Sequence, residues 1–366
     1  MFHKIDLHDL AERKGPQRAF LSLYMTSPES KTNLNAQISR VRTLLSDNED
    51  ELEHFNENLN LITTYLDENP FKSGSLCMFA CWATDYLHVF PIEAGVEETV
   101  PDLLWVDSSP YIRPLAELQD EYENFVVVTA DNSDTHVYFV TSFSPDEEER
   151  VKGDIKNAVK KGGWSQQRYA RRREKDLLHY AKEVVEVLED LNKRETFARI
   201  FMVGSDEAML EIEEVMSEVL KEKLVAKQSV DLHQEDEVWE AVFALFTEEE
   251  RADEESLWEI IKDESLREGR AVVGQDDVLA AAAVGRIQKM IVTRDAKMAG
   301  VRCRDCENLS AGDSETCPVC ESDSVFKVDL VNELVELVAA SSAETEFADP
   351  IPGLTESGDI AALLRY

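Results

Sequence analysis

The sequence has no long apolar run. None of its stretches approaches the roughly 18 consecutive apolar residues that a bilayer-crossing helix requires, so a transmembrane protein is not expected. The first residues, "MFHKIDLHDLAERKG", are charged and lack the apolar core of a signal peptide. We therefore expect a cytoplasmic protein with no membrane partner.

Basic residues are scarce. Lys and Arg number 38 against 75 Asp and Glu, which gives a formal net charge of -37, and the acids are spread along the whole chain. A hydrophobic content of 43% is that of a globular protein, so the charge lies on a folded surface. Self-repulsion favours a monomer and disfavours non-specific binding of nucleic acid. This balance also fits an organism with a salty cytoplasm, which is the hypothesis of haloadaptation.

At 366 residues the chain is long enough for two or three domains, and it lacks regular repeats. Strand-like and amphipathic helical segments alternate, which predicts a mixed α/β and α+β fold. We predict an N-terminal α/β domain over 1–145, which includes the strand pair "FVVVTA" and "HVYFVTSF". A central α/β domain over 146–270 follows a polar linker, "SPDEEER". A C-terminal α/β/α domain covers 271–366.

Only six cysteines are present, and in a cytoplasmic protein they are expected to be free thiols or metal ligands rather than a disulfide framework. Four of them follow the pattern Cys-x2-Cys, ten residues, Cys-x2-Cys: Cys303, Cys306, Cys317 and Cys320. Two such pairs place four thiolates at the corners of a tetrahedron, which suits a structural zinc ion in a ribbon over 303–320. The alternative is four reduced thiols on a loop. Cys77 and Cys81 lie in an apolar strand and are expected to be packed thiols.

One segment, "KKGGWSQQRYARRREK" at 160–175, departs from the acidic character of the chain. Gly162 and Gly163 allow positive φ and a close approach of the backbone to a ligand. A helix after them would carry basic residues three and four positions apart, where they can bridge phosphates. The candidate RNA-binding residues are Lys160, Lys161, Trp164, Arg168, Tyr169, Arg171, Arg172, Arg173 and Lys175, with the two aromatic residues available to stack on bases. The alternative is a solvated helix face.

This segment resembles the signature of archaeal and eukaryotic class-1 peptide-chain release factors, in which Gly-Gly-Gln precedes Ser and an Arg-aromatic-x-Arg run. Trp164 stands at the glutamine position. The third domain is similar too, in "GQDDVLAAAAVGRIQKMIVTRD" and in the last residues, "IAALLRY". Archaeal members of the family can carry a zinc mini-domain at this place. The Asn-Ile-Lys-Ser motif that reads stop codons is absent, so stop-codon decoding is not expected.

The chain looks more like divergent bacterial and archaeal release-factor-like families, whose loop reads Gly-x-Ser-Gln. Gly163, Trp164, Ser165 and Gln166 match that form. The resemblance gives Gln166 the catalytic place, with Gln167 as a second candidate and Gly162 beside them. It also implies a three-domain architecture with the zinc ribbon inserted in the last domain. The implied partners are the ribosome, the acceptor end of tRNA and a translational GTPase.

The predicted function is hydrolysis of the peptidyl-tRNA ester by a positioned water molecule, in rescue or quality control of stalled ribosomes. An amide side chain suits this task because it donates and accepts hydrogen bonds without titrating. The alternative is a non-catalytic ribosome-binding factor, Pelota-like or a hibernation factor. A nuclease is a weaker third hypothesis, since no cluster of metal-binding carboxylates stands out.

The acidic composition predicts that stability depends on salt. Screening shortens the range of charge repulsion from about 10 Å at 0.1 M salt to about 3 Å at 1 M. The thermal midpoint of unfolding should therefore rise between 0.1 and 2 M KCl, and sucrose at equal osmolality should raise it less. A midpoint that does not change with KCl would argue against haloadaptation.

Overall fold

The computed structural model describes residues 6–27, 30–70, 74–92, 102–121, 124–131, 134–141, 144–152, 164–195, 197–267 and 269–366. Within them it describes only the backbone at 31–33, 92, 121, 141, 144–152, 164–174 and 235–236. The fold is mixed α/β with four sheets, as predicted. The chain divides into two units, one made of residues 1–121 and 254–366 and the other of residues 122–253.

The N-terminal part of the first unit is an antiparallel sheet covered by helices. Its elements are α1 Leu7–Ala11, β1 Phe20–Met25, α2 Lys31–Leu44, α3 Glu49–Glu68, β2 Ser75–Cys81, a 3-10 turn Trp82–Thr84, β3 Tyr86–Ile92, β4 Leu103–Asp107 and α4 Arg113–Glu121. The strand order is β3-β2-β1-β4. Helix α3 has an apolar stripe, in which Phe55, Ile62 and Leu66 are buried against alternate residues of β1 and β2.

The second unit is a five-stranded sheet between two layers of helices. Its elements are β5 Phe125–Ala130, β6 Asp134–Thr141, β7 Ser144–Lys152, α5 Trp164–Arg194, β8 Arg199–Gly204, α6 Asp206–Val215, α7 Glu218–Lys223, β9 Leu224–Ser229 and the first part of α8 Glu235–Leu266. The strand order is β7-β6-β5-β8-β9, with β5, β8 and β9 parallel. Apolar residues of α5 and α6 pack on one face of this sheet, and those of α8 pack on the other.

Two expectations are wrong here. The segment 144–150 is part of strand β7 rather than a linker, because its backbone pairs with β6 in spite of its five charged side chains. The strand pair assigned to the N-terminal domain, β5 and β6, belongs instead to the sheet of the second unit, where β5 pairs with β8. The units therefore divide the chain at 121/122 and 253/254, whereas the predicted domain boundaries are 145/146 and 270/271.

The C-terminal part of the first unit contains two sheets. Its elements are β10 Ala271–Val273, α9 Gln275–Ala283, β11 Ile287–Thr293, β12 Ala299–Cys303, β13 Leu309–Ala311, β14 Val325–Asp329, α10 Leu330–Ala340, β15 Glu344–Ala348, α11 Pro352–Glu356 and β16 Ile360–Leu364. The larger sheet has the order β10-β16-β11-β15, and the smaller one, β13-β12-β14, carries the cysteines.

Buried polar contacts of α10 join the two parts of the first unit. The Asn332 side-chain oxygen accepts hydrogen bonds from the backbone N–H groups of Ile112 (2.9 Å) and Arg113 (3.0 Å). One turn later, buried Glu336 accepts a hydrogen bond from the Ser109 hydroxyl at 2.8 Å and pairs with Lys14 at 2.6 Å. Each of these groups would be costly to bury without its partner, so the contacts fix α10 against the N-terminal part.

No helix in the described part of the chain combines the length and the apolar character that a membrane span requires.

The turn between β8 and α6 predicts one sharp stability effect. Gly204 has φ +131°, and a Cβ atom there would lie 2.2 Å from the Ala130 carbonyl oxygen, which already accepts a hydrogen bond from the Ser205 N–H. Gly204→Ala should lower the free energy of unfolding by about 3 kcal/mol, measured by urea denaturation. Gly358→Ala is the control, since Gly358 also has positive φ but has nothing within 4 Å of its Cβ position, and it should cost about 1 kcal/mol. Equal losses would contradict the clash.

Candidate functional site

The four cysteines of the predicted ribbon come together in the structure. Cys303 ends β12 and Cys306 follows it, while Cys317 and Cys320 lie between β13 and β14. Their four Sγ atoms all lie within 4.8 Å of one another. The Sγ atoms of Cys303 and Cys320 are 3.6 Å apart, and those of Cys306 and Cys317 are 3.5 Å apart. A tetrahedral ion at metal–sulfur distances of about 2.3 Å requires a sulfur–sulfur spacing of about 3.8 Å, so the set can hold a metal ion.

The two Cys-x2-Cys turns have the same backbone geometry. The N–H of Glu307 donates to the Cys303 carbonyl at 3.0 Å, and the N–H of Glu321 donates to the Cys317 carbonyl at 3.0 Å. Both glutamates have left-handed backbones, with φ of 58° and 60°. A non-glycine residue adopts this conformation at a cost of about 1–2 kcal/mol, so the turns must be held by other interactions. Ligation of all four thiolates by one ion would supply such an interaction.

The backbone also favours the thiolate at one ligand position. N–H groups of Cys320 and Val319 face the Cys317 sulfur and lower the pKa of this thiol to about 7. The Val319 nitrogen lies 3.4 Å from that sulfur. Thiolate is the form that binds metal ions, so the backbone of this turn favours ligation through Cys317. Cys77 and Cys81, by contrast, are fully buried in β2 and away from this group, as expected for packed thiols.

The basic segment is only partly covered by the structure. Lys160, Lys161, Gly162 and Gly163 lie outside the described residues. Helix α5 begins at Trp164, so Ser165, Gln166 and Gln167 belong to the beginning of a helix, and not to an extended loop. The remaining candidates, Arg168, Tyr169, Arg171, Arg172, Arg173 and Lys175, follow on the same helix. Lys175 is the first of these candidates whose side chain is described, and it is exposed.

The buried residues of α5 define one side of the helix, and the basic positions can be placed relative to them. Leu177, Tyr180 and Val184 are buried against the sheet of the second unit, and the Tyr180 hydroxyl donates to Thr135 at 2.6 Å. At 100° per residue, positions 168, 171, 172 and 175 fall on the opposite side of the helix axis. Position 166 falls on the same side as the buried stripe. The other four positions form a basic row in the helical periodicity of α5.

Sequence reasoning missed the polar face of α10. In α10, the polar residues Asn332, Glu333 and Glu336 are all buried. Burial raises the pKa of Glu333 to about 8, and the nearby carboxylates Glu336 and Asp107 act in the same direction. The available signal was three polar residues on one side of an otherwise apolar helix, which indicates a contact with polar partners elsewhere in the chain.

The cysteine geometry predicts one metal site per chain. Titration of reduced, metal-free protein with Co²⁺ should saturate at one equivalent with the absorption of a tetrahedral thiolate complex. Cys317→Ser should abolish this absorption because it removes one of the four ligands. Cys81→Ala is the control and should keep the full signal. Saturation of the wild type without a thiolate spectrum, or an unchanged spectrum in Cys317→Ser, would show that the four cysteines are not the ligands.

Comparison with known proteins gives one family match. The family described as bacterial archaeo-eukaryotic release factor family 10 matches residues 110–247. That range includes strands β5 to β9 and the whole basic segment 160–175. No curated protein matches the chain.

Several solved structures of translation factors are similar at low identity. The archaeal translation termination factor aRF1 is 14% identical, with 98% of this chain and 96% of that chain covered and a TM-score of 0.25. Dom34 of S. cerevisiae, a translation termination-like factor, is 12% identical, with 82% and 75% covered and a TM-score of 0.41. Archaeal Pelota, from a ribosome-bound model with ABCE1, is 14% identical, with 80% and 77% covered and a TM-score of 0.44. The match over 110–247 confirms the predicted resemblance to archaeo-eukaryotic release factors, here to a family described as bacterial.

Proposed function

We propose that the protein binds ribosomes and hydrolyses the peptidyl-tRNA ester when translation has stalled, without decoding stop codons. The observation that carries this proposal is the release-factor family match, which encloses the one strongly basic segment of a chain with net charge -37. Dom34 is described as involved in RNA quality control pathways, and Pelota as ribosome-bound. By analogy, the partners proposed here are the ribosome and the tRNA acceptor end, with a translational GTPase for delivery.

The proposed reaction needs positioning more than a nucleophilic side chain. Water attacks the carbonyl carbon of the ester, the bond to the ribose oxygen breaks, and the proton ends on that leaving oxygen. Gln166 would orient the water through its amide, with Gln167 as the second candidate. Gly162 and Gly163 would let the backbone approach the ester, where N–H groups can stabilise the developing oxyanion.

The basic row of α5 would hold the tRNA end. Positions 168, 171, 172 and 175 lie on the side of the helix away from its buried stripe, where arginine and lysine can contact phosphates without competing with core packing. Lys160, Lys161 and Arg173 would add charge, and Trp164 and Tyr169 would stack on the terminal bases. Binding of this kind weakens steeply as salt rises.

The metal proposed for the four-cysteine centre is zinc in a structural role. Cys303, Cys306, Cys317 and Cys320 form a complete thiolate set, so a bound zinc ion would join the two turns and leave no ligand position for substrate. A small three-stranded sheet has little core of its own, and the metal would stabilise it.

The alternative function is ribosome binding without hydrolysis, as in a Pelota-like or hibernation factor. Two observations favour it. Trp164 stands where release factors have the Gly-Gly-Gln glutamine, and α5 begins at that residue, so Gln166 lies within the first helical turn. A glutamine held on the side of the buried stripe would be poorly placed to reach an ester.

A peptide-release assay separates the two functions. Purified ribosomes carrying labelled peptidyl-tRNA should release peptide with wild-type protein, and Gln166→Ala should slow release about 100-fold if the amide orients water. Gln228→Ala, at an exposed position of β9, is the matched control and should not change the rate. No release by wild-type protein, or equal release by Gln166→Ala, would remove the catalytic proposal.

Co-sedimentation with ribosomes tests the basic row itself under either function. The double variant Arg171→Glu, Arg172→Glu should lose binding. The control reverses two charges at the other end of the same helix, Lys193→Glu with Arg194→Glu, both exposed, and should still bind. Equal binding by both double variants would show that the basic row is not the contact.

A further inference from the structure

Arg304 connects the four-cysteine centre to the N-terminal part of the unit. It lies inside the first Cys-x2-Cys turn, between Cys303 and Cys306. Its guanidinium donates to both carboxylate oxygens of Glu51, at 2.9 Å and 3.3 Å. Glu51 stands in the first turn of α3 and is only 1% exposed. A buried carboxylate requires a cation, and the turn of the cysteine ribbon supplies it.

Further contacts fix the orientation of this arginine. Its third guanidinium nitrogen donates to the Val325 carbonyl at 2.9 Å, and its backbone N–H donates to the Ser324 carbonyl at 2.8 Å. The guanidinium also lies over the Phe326 ring, 4.9 Å from its centre. Both the side chain and the backbone of Arg304 are therefore set by the ribbon, so the ribbon determines where the charge facing Glu51 stands.

A second arginine makes the reciprocal connection from the N-terminal part. Arg18 lies over the same Phe326 ring, 4.8 Å from its centre, and donates to the Lys327 carbonyl at 3.1 Å. Strand β14 is thus held by arginines from both sides of the contact. The other Cys-x2-Cys turn differs, since Pro318, at the position that corresponds to Arg304, is exposed. Of the two turns, the first is therefore the one that docks on the N-terminal part.

From these contacts we infer that Arg304 couples metal binding at the four-cysteine centre to the docking of the ribbon on α3. A bound metal fixes the first turn, and the first turn holds Arg304 against Glu51. Loss of the metal frees the turn and weakens the pairing of Arg304 with Glu51. Coupling between two equilibria is reciprocal, so if the metal favours the docked ribbon, the docked ribbon must favour metal binding by the same factor. Arg304 is a positioning residue, and the inference rests on the proposed zinc occupancy.

Zinc release measures this coupling directly. The zinc content of the purified full-length protein is determined first, and release to an excess of a chromophoric chelator is then followed over time. Glu51→Gln removes the carboxylate charge, and Arg304→Lys removes the two-point contact while keeping a positive charge. Each should release zinc about tenfold faster than wild type. Asp313→Asn is the matched control: it also changes a carboxylate in an ion pair, with Lys327, but an exposed one, and it should release zinc at the wild-type rate.

Hydrogen exchange tests the coupling in the other direction, from the metal to the contact between Arg304 and Glu51. Removal of zinc from the wild-type protein should increase amide exchange at the start of α3, around Glu51, and should leave exchange in the second unit unchanged. This experiment needs no variant, so it tests the coupling even if Glu51→Gln fails to fold. The coupling would be overturned if folded Glu51→Gln and Arg304→Lys released zinc at the wild-type rate, or if removal of zinc did not change amide exchange in α3. Either result would leave the zinc proposal itself intact. Protein that neither contains nor takes up zinc would overturn the zinc proposal and the coupling with it.

Discussion

The first unit depends on polar contacts made at a distance in sequence. Residues 1–121 and 254–366 form one unit although the whole second unit lies between them in the chain. Helix α10 joins them through Asn332 and Glu336, and Arg113 adds hydrogen bonds to the carbonyl groups of Arg294 (2.7 Å) and Ala296 (3.0 Å). Apolar contacts alone tolerate small shifts, whereas buried donors and acceptors must meet specific partners. These contacts therefore set the alignment of the two parts.

The basic contact proposed for α5 contrasts with the role of the arginines in the first unit. In the first unit, Arg18, Arg113 and Arg304 donate hydrogen bonds to carbonyl or carboxylate oxygens of the same unit. The second unit uses α5 differently. One side of the helix packs on the sheet through Leu177 and Tyr180, and helical periodicity assigns positions 168, 171, 172 and 175 to the opposite side. The acidic surroundings should weaken non-specific binding of nucleic acid. Only a partner that fits the basic row should therefore bind there.

The sequence predicted local features well and long-range ones poorly. The stripe of α3 and the four-cysteine pattern are periodic or closely spaced, so their geometry follows from a few neighbouring residues. The segment 144–150 was predicted to be a linker because its five charged residues are not typical of a strand. Its pairing with β6 depends on the sheet and could not be seen in the sequence. The contact of Arg304 with Glu51 could not be predicted, since the two residues are 253 positions apart and neither belongs to a motif. Whether Gln166 acts in catalysis also depends on a geometry that residue spacing does not contain.

The central claim is that the start of α5 meets the acceptor end of tRNA on the ribosome. The most direct test is a structure of the protein bound to a ribosome that carries peptidyl-tRNA. The account predicts that Arg171 and Arg172 contact tRNA phosphates and that Gln166 lies within one water molecule of the ester. A complex in which α5 faces away from the tRNA, with the basic row in solvent or against ribosomal protein, would contradict it.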